Sequence, residues 1–263
     1  MTKYTIFGNP VAHSKSPQMH NAGFTLLNIH ANYDKTHLED GTQLKSTFLS
    51  NNIQGANITV PHKEVAFNSA DEVVGLAKKI GAVNTYINDN GKVKAYNTDA
   101  PGFMKAIEEF GKIKSAIILG AGGTAKAIAV AFQEANIKTT VLNRSKNRLD
   151  FFQDLDCTTY SWDTFKTNTY DLVVNSTSAG LKDTQLPCPN NIINNILDNS
   201  SYAIDCIYGK ITPFLQEAKN KDLSSKDGED MLLFQGVLAF ELFTGIKADD
   251  SLVEAMRKGL KEI

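Results

Sequence analysis

Short polar side chains crowd the stretch "GNPVAHSKSPQMHN" (8–21), directly behind the first apolar run, Tyr4-Thr5-Ile6-Phe7. Ser, Asn and Pro are ordinary turn residues. Here Pro10 and Pro17 stiffen a loop that places Ser14 and Ser16 at the mouth of a strand, where binding loops also lie. Two later stretches are of the same kind. "GANITVPHKE" (55–64) passes through Asn57 and Thr59, then turns through Pro61 into Lys63; "GAVNT" (81–85) carries Asn84, and "NTDAPGF" (97–103) carries Asp99. A lysine and a carboxylate among neutral hydrogen-bonding groups could move a proton on a polar substrate. Each residue also has a plainer reading: Lys63 as an exposed first-turn residue, Asn84 as a turn, and Asp99 as a helix cap. His13 and His20 are ligand types without a carboxylate at ligand spacing, so no metal is expected.

A second chemistry is written at "SAIILGAGGTAKAIAVAFQEANIKTTVLNRSKNR" (115–148). A buried strand at 117–119 runs into Gly120-Ala121-Gly122-Gly123-Thr124-Ala125, and a helix then spans 125–135 before a second strand at 139–142. Gly120, Gly122 and Ala125 match the dinucleotide fingerprint, whose third glycine can be alanine. The first permits the tight turn and the second lets backbone approach a pyrophosphate, which then faces the helix N-terminus. An Asp or Glu after the second strand would hold the ribose hydroxyls of NAD. This chain instead has Asn143-Arg144-Ser145-Lys146, with Arg148 just beyond. Arg144 offers a planar fork to a 2′-phosphate, so NADP is the expected cofactor. The strand-ending "VVNSTSAG" (173–180), with Thr177, is expected to line the nicotinamide side, because ligands of open α/β sheets lie at the carboxyl ends of strands.

Elements must hold these groups in place. Strand-like runs recur at 5–7, 31–35, 55–60, 83–87, 116–119, 139–142, 172–175 and 203–207. Helical patterns fall between them at 44–51, 63–79, 125–135 and 212–219, and a short helix is expected in the Asn-rich stretch 190–199. Such alternation predicts α/β architecture with parallel sheets, interrupted by one hairpin at Asn90-Gly91. The break between domains is placed near 98–114. That gives a substrate-binding and catalytic domain at 1–100, a Rossmann-type NADP-binding domain at 101–229, and a pair of C-terminal helices at about 230–243 and 251–260.

The 263 residues carry 27 Lys+Arg against 29 Asp+Glu, a formal net charge of -2. That balance, without a basic block, argues against nucleic acid as partner. No apolar run is long enough to span a bilayer, and the start lacks the build of a signal peptide. The odd, scattered Cys157, Cys188 and Cys206 read as free thiols of a reducing cytosol.

In chain order the motifs G-x-P-x-x-H-S-x-S-P-x-x-H-N, N-x-T-V-P-x-K, G-A-x-N-T, N-T-D-x-x-G-F, the glycine turn with N-R, and the C-terminal "DGEDMLLFQGVLAFELFTG" resemble the shikimate dehydrogenase family. They run from Gly8 to Gly245, and the series is far more specific than any member of it. The resemblance implies a cytoplasmic enzyme, monomer or homodimer, that interconverts 3-dehydroshikimate and shikimate with NADPH. It implies that Ser14 and Ser16 hold the substrate carboxylate, and that Asn57, Thr59, Asn84, Asp99 and Gln235 contact the ring hydroxyls. Lys63 and Asp99 would form the catalytic pair. Tyr208 would touch substrate, and Ile207 and Gly228 would join the cofactor site. The C-terminal helices would fold back onto the first domain. Two positions depart from the family pattern: Gly209-Lys210 follows Tyr208 where members often have Asn-Pro, and Lys126 stands where Arg is also common. The alternatives are a quinate/shikimate dehydrogenase, against which Asn143-Arg144 argues, and a catalytically silent NADP-binding regulator, which would be expected to lack Lys63 or Asp99.

Overall fold

The computed structural model describes residues 1–261 and divides into two compact units, Met1–Gly102 with the chain from Leu233 onward, and Phe103–Leu232. The first opens with β1 (Thr2–Gly8), α1 (Ser16–Leu26), β2 (Ala31–His37), α2 (Leu44–Ser50), β3 (Ile53–Ile58) and α3 (Lys63–Ser69). There follow β4 (Glu72–Val73), α4 (Ala77–Ile80), β5 (Thr85–Asp89), β6 (Lys92–Tyr96) and α5 (Asp99–Ala106). The strands form one sheet in the order β2-β1-β3-β5-β6-β4. Pairing is parallel for β1 with β2 and β3, and for β4 with β6. Around the hairpin this gives way, and β5 runs antiparallel to β3 and β6. Asn90 and Gly91 turn that hairpin at φ 54 and 85, as a type I′ turn requires.

The single helix expected over 63–79 is not formed. It breaks into α3 and α4, because the β-branched pair Val73-Val74 prefers extended backbone and pairs alongside β6, with Val74 N–H donating to Ala95 O at 2.9 Å. The expected strand at 55–60 is shifted, ending at Ile58, so Thr59 sits in the turn beyond it.

The second unit contains β7 (Ser115–Leu119), α6 (Gly123–Glu134), β8 (Lys138–Asn143), α7 (Asp150–Gln153), β9 (Thr158–Ser161) and β10 (Tyr170–Asn175). It continues with α8 (Asn190–Asp198), β11 (Ser200–Asp205), α9 (Pro213–Asn220) and β12 (Ser224–Lys226). All neighbouring strands are parallel, in the order β12-β11-β10-β7-β8-β9. Counted along the chain this is the doubly wound order, with its switch point between β7 and β10. β7 is an almost wholly buried apolar run, the signature of a parallel strand covered on both faces. The Asn-rich stretch is helical as expected, since Ile192, Ile193, Ile196 and Leu197 fall on the buried side of α8. β9 and β12 were not legible beforehand. They are short edge strands of polar composition, with no apolar run to mark them.

The chain closes with α10 (Glu229–Thr244) and α11 (Asp250–Lys261). α11 lies on α1, where Lys15 Nζ donates to Leu260 O at 3.0 Å. α10 brings Phe240 and Phe243 against Phe24 and Tyr4, with ring centroids 5.0 Å apart in each pair. The C-terminal helices thus pack on the first unit. Among the described residues no helix is long and apolar enough to cross a membrane.

His20 is sealed inside this aromatic packing, stacked on Tyr33 at 4.3 Å between centroids, and among the described residues neither ring nitrogen finds a hydrogen-bond partner. Burial pushes its imidazole down to about 3, opposed only weakly by the nearby Asn57 side chain. The unfolded chain therefore takes up a proton near pH 6.5 that the folded chain refuses until about 3. Between those values the unfolded state binds more protons, so stability falls as pH falls. His20→Phe keeps a stacked ring and removes this loss. Relative to the variant, the unmodified protein should lose about 1.4 kcal/mol per pH unit below its unfolded-state value, read from urea unfolding at a series of pH values.

Candidate active site

Lys63 opens α3 and Asp99 opens α5, and their side chains meet with Nζ 2.6 Å from Oδ2. Both are mostly shielded, with side-chain exposures of 14% and 8%. Asp99 does not act as the cap of its helix. Asn97 does, its Oδ1 accepting from the N–H groups of Asp99 and Ala100 at 3.0 and 3.3 Å. That substitution leaves the Asp99 carboxylate free to face Lys63, because a neighbour two residues back satisfies the helix start.

Asn84 locks the other carboxylate oxygen. Its Nδ2 lies 2.9 Å from Asp99 Oδ1, 2.9 Å from Thr98 Oγ1 and 3.3 Å from Gln235 Oε1. Its Oδ1 accepts from Thr98 N–H at 2.8 Å and from the Thr85 hydroxyl at 2.9 Å, which fixes the orientation of the amide. Asn57 joins through its Nδ2, which donates to Asn84 O at 3.3 Å and Thr85 Oγ1 at 3.2 Å. Its Oδ1 accepts from the Tyr33 hydroxyl at 2.7 Å. Burial pushes the Tyr33 phenol well above its usual value, so it remains a donor, and Ser16 lies beside it. Ser14 Oγ in turn donates to Ser16 Oγ at 3.2 Å. Thr59 is half-buried in the turn after β3.

The structure therefore brings Lys63, Asp99, Asn84, Gln235, Asn57, Ser16 and Ser14 into one continuous polar wall of the first unit. Tyr208 belongs to the second unit, on the loop after β11, where Gly209 (φ 75) donates its N–H to Asp227 Oδ2 at 2.8 Å. Tyr33, Thr85, Thr98 and Asn97 were missed. Nothing in β2 distinguishes a tyrosine whose hydroxyl is buried from one that merely fills the core. A shielded carboxylate set against a lysine suits a site where charge develops on a substrate oxygen, since the lysine keeps further N–H donors beyond the one given to Asp99.

In the second unit Gly120 closes β7 at φ 106, and a Cβ there would lie 2.9 Å from both Ser176 Oγ and Thr177 Cγ2. Only glycine fits. Gly122 precedes α6 with no side-chain cap, and a Cβ built on it would meet open space. The uncapped N–H groups of a helix 12 residues long thus face an accessible cradle suited to a phosphate. Ala121 is buried, and Gly123, Thr124 and Ala125 form the first turn. At the end of β8, Asn143 Nδ2 donates to Ser145 O at 2.8 Å, holding the turn from which Arg144, Ser145, Lys146 and Arg148 project, all exposed. Thr177 follows β10, Ile207 is buried after β11, and Gly228 N–H donates to Ile207 O at 3.0 Å. His13 is exposed, and among the described residues no group of His, Cys, Asp and Glu is gathered to hold a metal.

A doubly wound sheet with an open glycine turn at its switch point, in one chain with a shielded Lys–Asp pair, defines a nucleotide-dependent α/β oxidoreductase. Residues 6–86 match the shikimate dehydrogenase substrate binding domain, and residues 228–261 match the shikimate 5'-dehydrogenase C-terminal domain. The chain is 46% identical to the shikimate dehydrogenase (NADP(+)) of Helicobacter hepaticus over 97% of this chain and 95% of that one. It superposes on the shikimate 5-dehydrogenase of Thermus thermophilus, solved with NADP(H) and shikimate, with TM-score 0.86 and 35% identity, covering 98% and 100% of the two chains. For the Aquifex aeolicus shikimate dehydrogenase the values are 0.87 and 32%, over 100% and 98%. The chain belongs to the shikimate dehydrogenase family.

Gln235 reaches Asn84 because α10 approaches α5 closely at Gly102, where an added Cβ would lie 2.6 Å from Gln235 N and 2.8 Å from its Cα. Backbone cannot give way as a flexible side chain can. Gly102→Ala should cost roughly 1–3 kcal/mol, measured by denaturant unfolding, and should raise the substrate KM by moving Gln235 away from Asn84.

Proposed function

We propose that this chain catalyses the reversible NADPH-dependent reduction of 3-dehydroshikimate to shikimate, a step of aromatic amino-acid biosynthesis. The observation that carries the reading is the Lys63–Asp99 contact of 2.6 Å, shielded from water and flanked by Asn84 and Gln235. The bound dinucleotide supplies the hydride. As negative charge builds on the ketone oxygen, Lys63 donates to it, while Asp99 holds the ammonium in place and accepts from a neighbouring ring hydroxyl. Ser14 and Ser16 receive the carboxylate at the start of α1. Asn57, Thr59, Asn84, Gln235 and Tyr208 take the remaining hydroxyls, a task for neutral groups that both donate and accept. Arg144 grips the 2′-phosphate with Ser145, Lys146 and Arg148 around it, and the turn from Gly120 to Ala125 takes the pyrophosphate. Thr177, Ile207 and Gly228 lie along the nicotinamide. We assign the enzyme to the cytosol, as monomer or homodimer with no nucleic-acid partner. Free Cys157, Cys188 and Cys206 and the near-balanced charge support that setting.

Lys63→Ala should lower kcat with shikimate and NADP+ by about two to four orders of magnitude, with little change in KM. The single variant strands a buried carboxylate, so the double variant Lys63→Ala/Asp99→Asn is assayed beside it, with folding followed by near-ultraviolet circular dichroism. A folded Lys63→Ala enzyme with near-normal kcat would overturn the assignment. Arg144→Ala should raise the KM for NADP+ roughly 10- to 100-fold while leaving that for NAD+ almost unchanged; equal effects on both would remove Arg144 from the phosphate site.

A further inference from the structure

We propose that Asp205 is a positioning residue for the nicotinamide side of the cofactor site, acting through Asn175 on Thr177 and through Ile207 on Gly228. The proposal rests on the reading of the second unit as the cofactor-binding unit. Asp205 ends β11 and is fully buried, yet among the described residues no ion pair to it is seen. Instead, three donors converge on its carboxylate. Oδ2 accepts from the Thr212 hydroxyl at 2.6 Å and from Asn175 Nδ2 at 3.0 Å, and Oδ1 accepts from Ile207 N–H at 2.9 Å. Burial, with Asp227 nearby, pushes this carboxyl up to about 6 against the pull of those hydrogen bonds, so near neutral pH it is the ionised, acceptor-only group that the three donors require.

An amide cannot orient itself, and Asp205 decides which way Asn175 points. With Nδ2 committed to the carboxylate, Asn175 Oδ1 must face the other way, where it accepts from Thr177 N–H at 3.0 Å and from the Thr177 hydroxyl at 2.8 Å. The Thr177 oxygen then accepts from Ala179 N–H at 3.2 Å, closing the loop upon itself. This is the loop against which Gly120 packs, so the glycine turn and Thr177 are set by one arrangement. On the other side, Ile207, anchored by its N–H to Asp205, receives Gly228 N–H on its carbonyl. The expected cofactor contacts beyond β10 and β11 thus trace to one buried carboxylate. Asparagine at 205 would turn an NH2 group toward at least one of the three donors. Either Ile207 N–H or the orientation of Asn175 would be lost.

Thr212 supplies the control. Its hydroxyl caps α9 by accepting from Leu215 N–H at 3.2 Å, so Thr212→Val removes a cap and one donor but leaves the Asn175 and Ile207 contacts in place. Asp205→Asn should weaken NADP+ binding at least tenfold by calorimetry and raise the KM for NADP+ to match, with the shikimate KM within twofold of the unmodified enzyme. Thr212→Val should lower the unfolding midpoint yet bind NADP+ normally. Should Asp205→Asn fail to fold, Asn175→Asp/Asp205→Asn keeps an acceptor facing Thr177 and a donor–acceptor pair between the two strands, and it should bind NADP+ within a few-fold of normal where Asn175→Ala does not. Normal NADP+ binding by Asp205→Asn, or equal weakening by Thr212→Val, would overturn the proposal; if Arg144→Ala weakens NADP+ in the same series, the cofactor reading survives that failure. Normal NADP+ binding by Arg144→Ala removes only Arg144 from the phosphate site, whereas no NADP+ binding by the unmodified enzyme would overturn the cofactor reading and the proposal with it.

Discussion

A lysine ammonium and an aspartate carboxylate cannot be withdrawn from water cheaply, and the arrangement of the first unit follows from that cost. Desolvating the pair is repaid only when the contact is short and the remaining lone pairs are satisfied. The 2.6 Å separation of Lys63 and Asp99 meets the first condition. Asn84 meets the second, and it can do so only because Thr98, Thr85 and Gln235 hold its amide in a single orientation. Asn97 completes the set by capping α5 in place of Asp99. One ionic contact thereby dictates the residue types at Thr85, Asn97 and Thr98 as well as at Asn84 and Gln235.

The second unit solves a different electrostatic problem with backbone. In the proposed function its incoming charge is phosphate, and the groups that would meet it are N–H dipoles at the start of α6 and cations at the end of β8. Neither needs burial of a resident charge, so the residues there are small or exposed. The one buried acid of this region, Asp205, works the other way: it is surrounded by donors and serves to fix the loops beside it.

The legibility of the sequence followed the same division. Features set by local backbone chemistry could be read directly: the glycine turn, the Asn-Gly hairpin, the apolar parallel strands and the helix in the Asn-rich stretch. Features set by competition between distant groups could not. Asp99 carries the signature of a cap, and only the fold reveals that Asn97 outbids it. Over 63–79 the helical pattern persists in residue types, but pairing of Val73 and Val74 beside β6 overrides it. Tyr33 is invisible as a site residue because its hydroxyl finds Asn57 across 24 positions of sequence. The polar edge strands β9 and β12 leave no apolar trace at all.

Gln235 shows why the site residues span so much of the chain. It lies 151 positions from Asn84, and the contact between them needs α10 to come within backbone distance of α5. Asp99 and Gln235 sit on the two helices in which the chain passes from one compact unit to the other, at Gly102 and at Leu233. A helix is stiff over that span, so placing site residues on it fixes their positions more tightly than a loop would. The glycine at the crossing is then a requirement of the chemistry. A side chain at 102 would push Gln235 away, its side-chain Oε1 would no longer accept from Asn84 Nδ2, and Asn84 would lose one of the partners that keep the Asp99 carboxylate in register with Lys63.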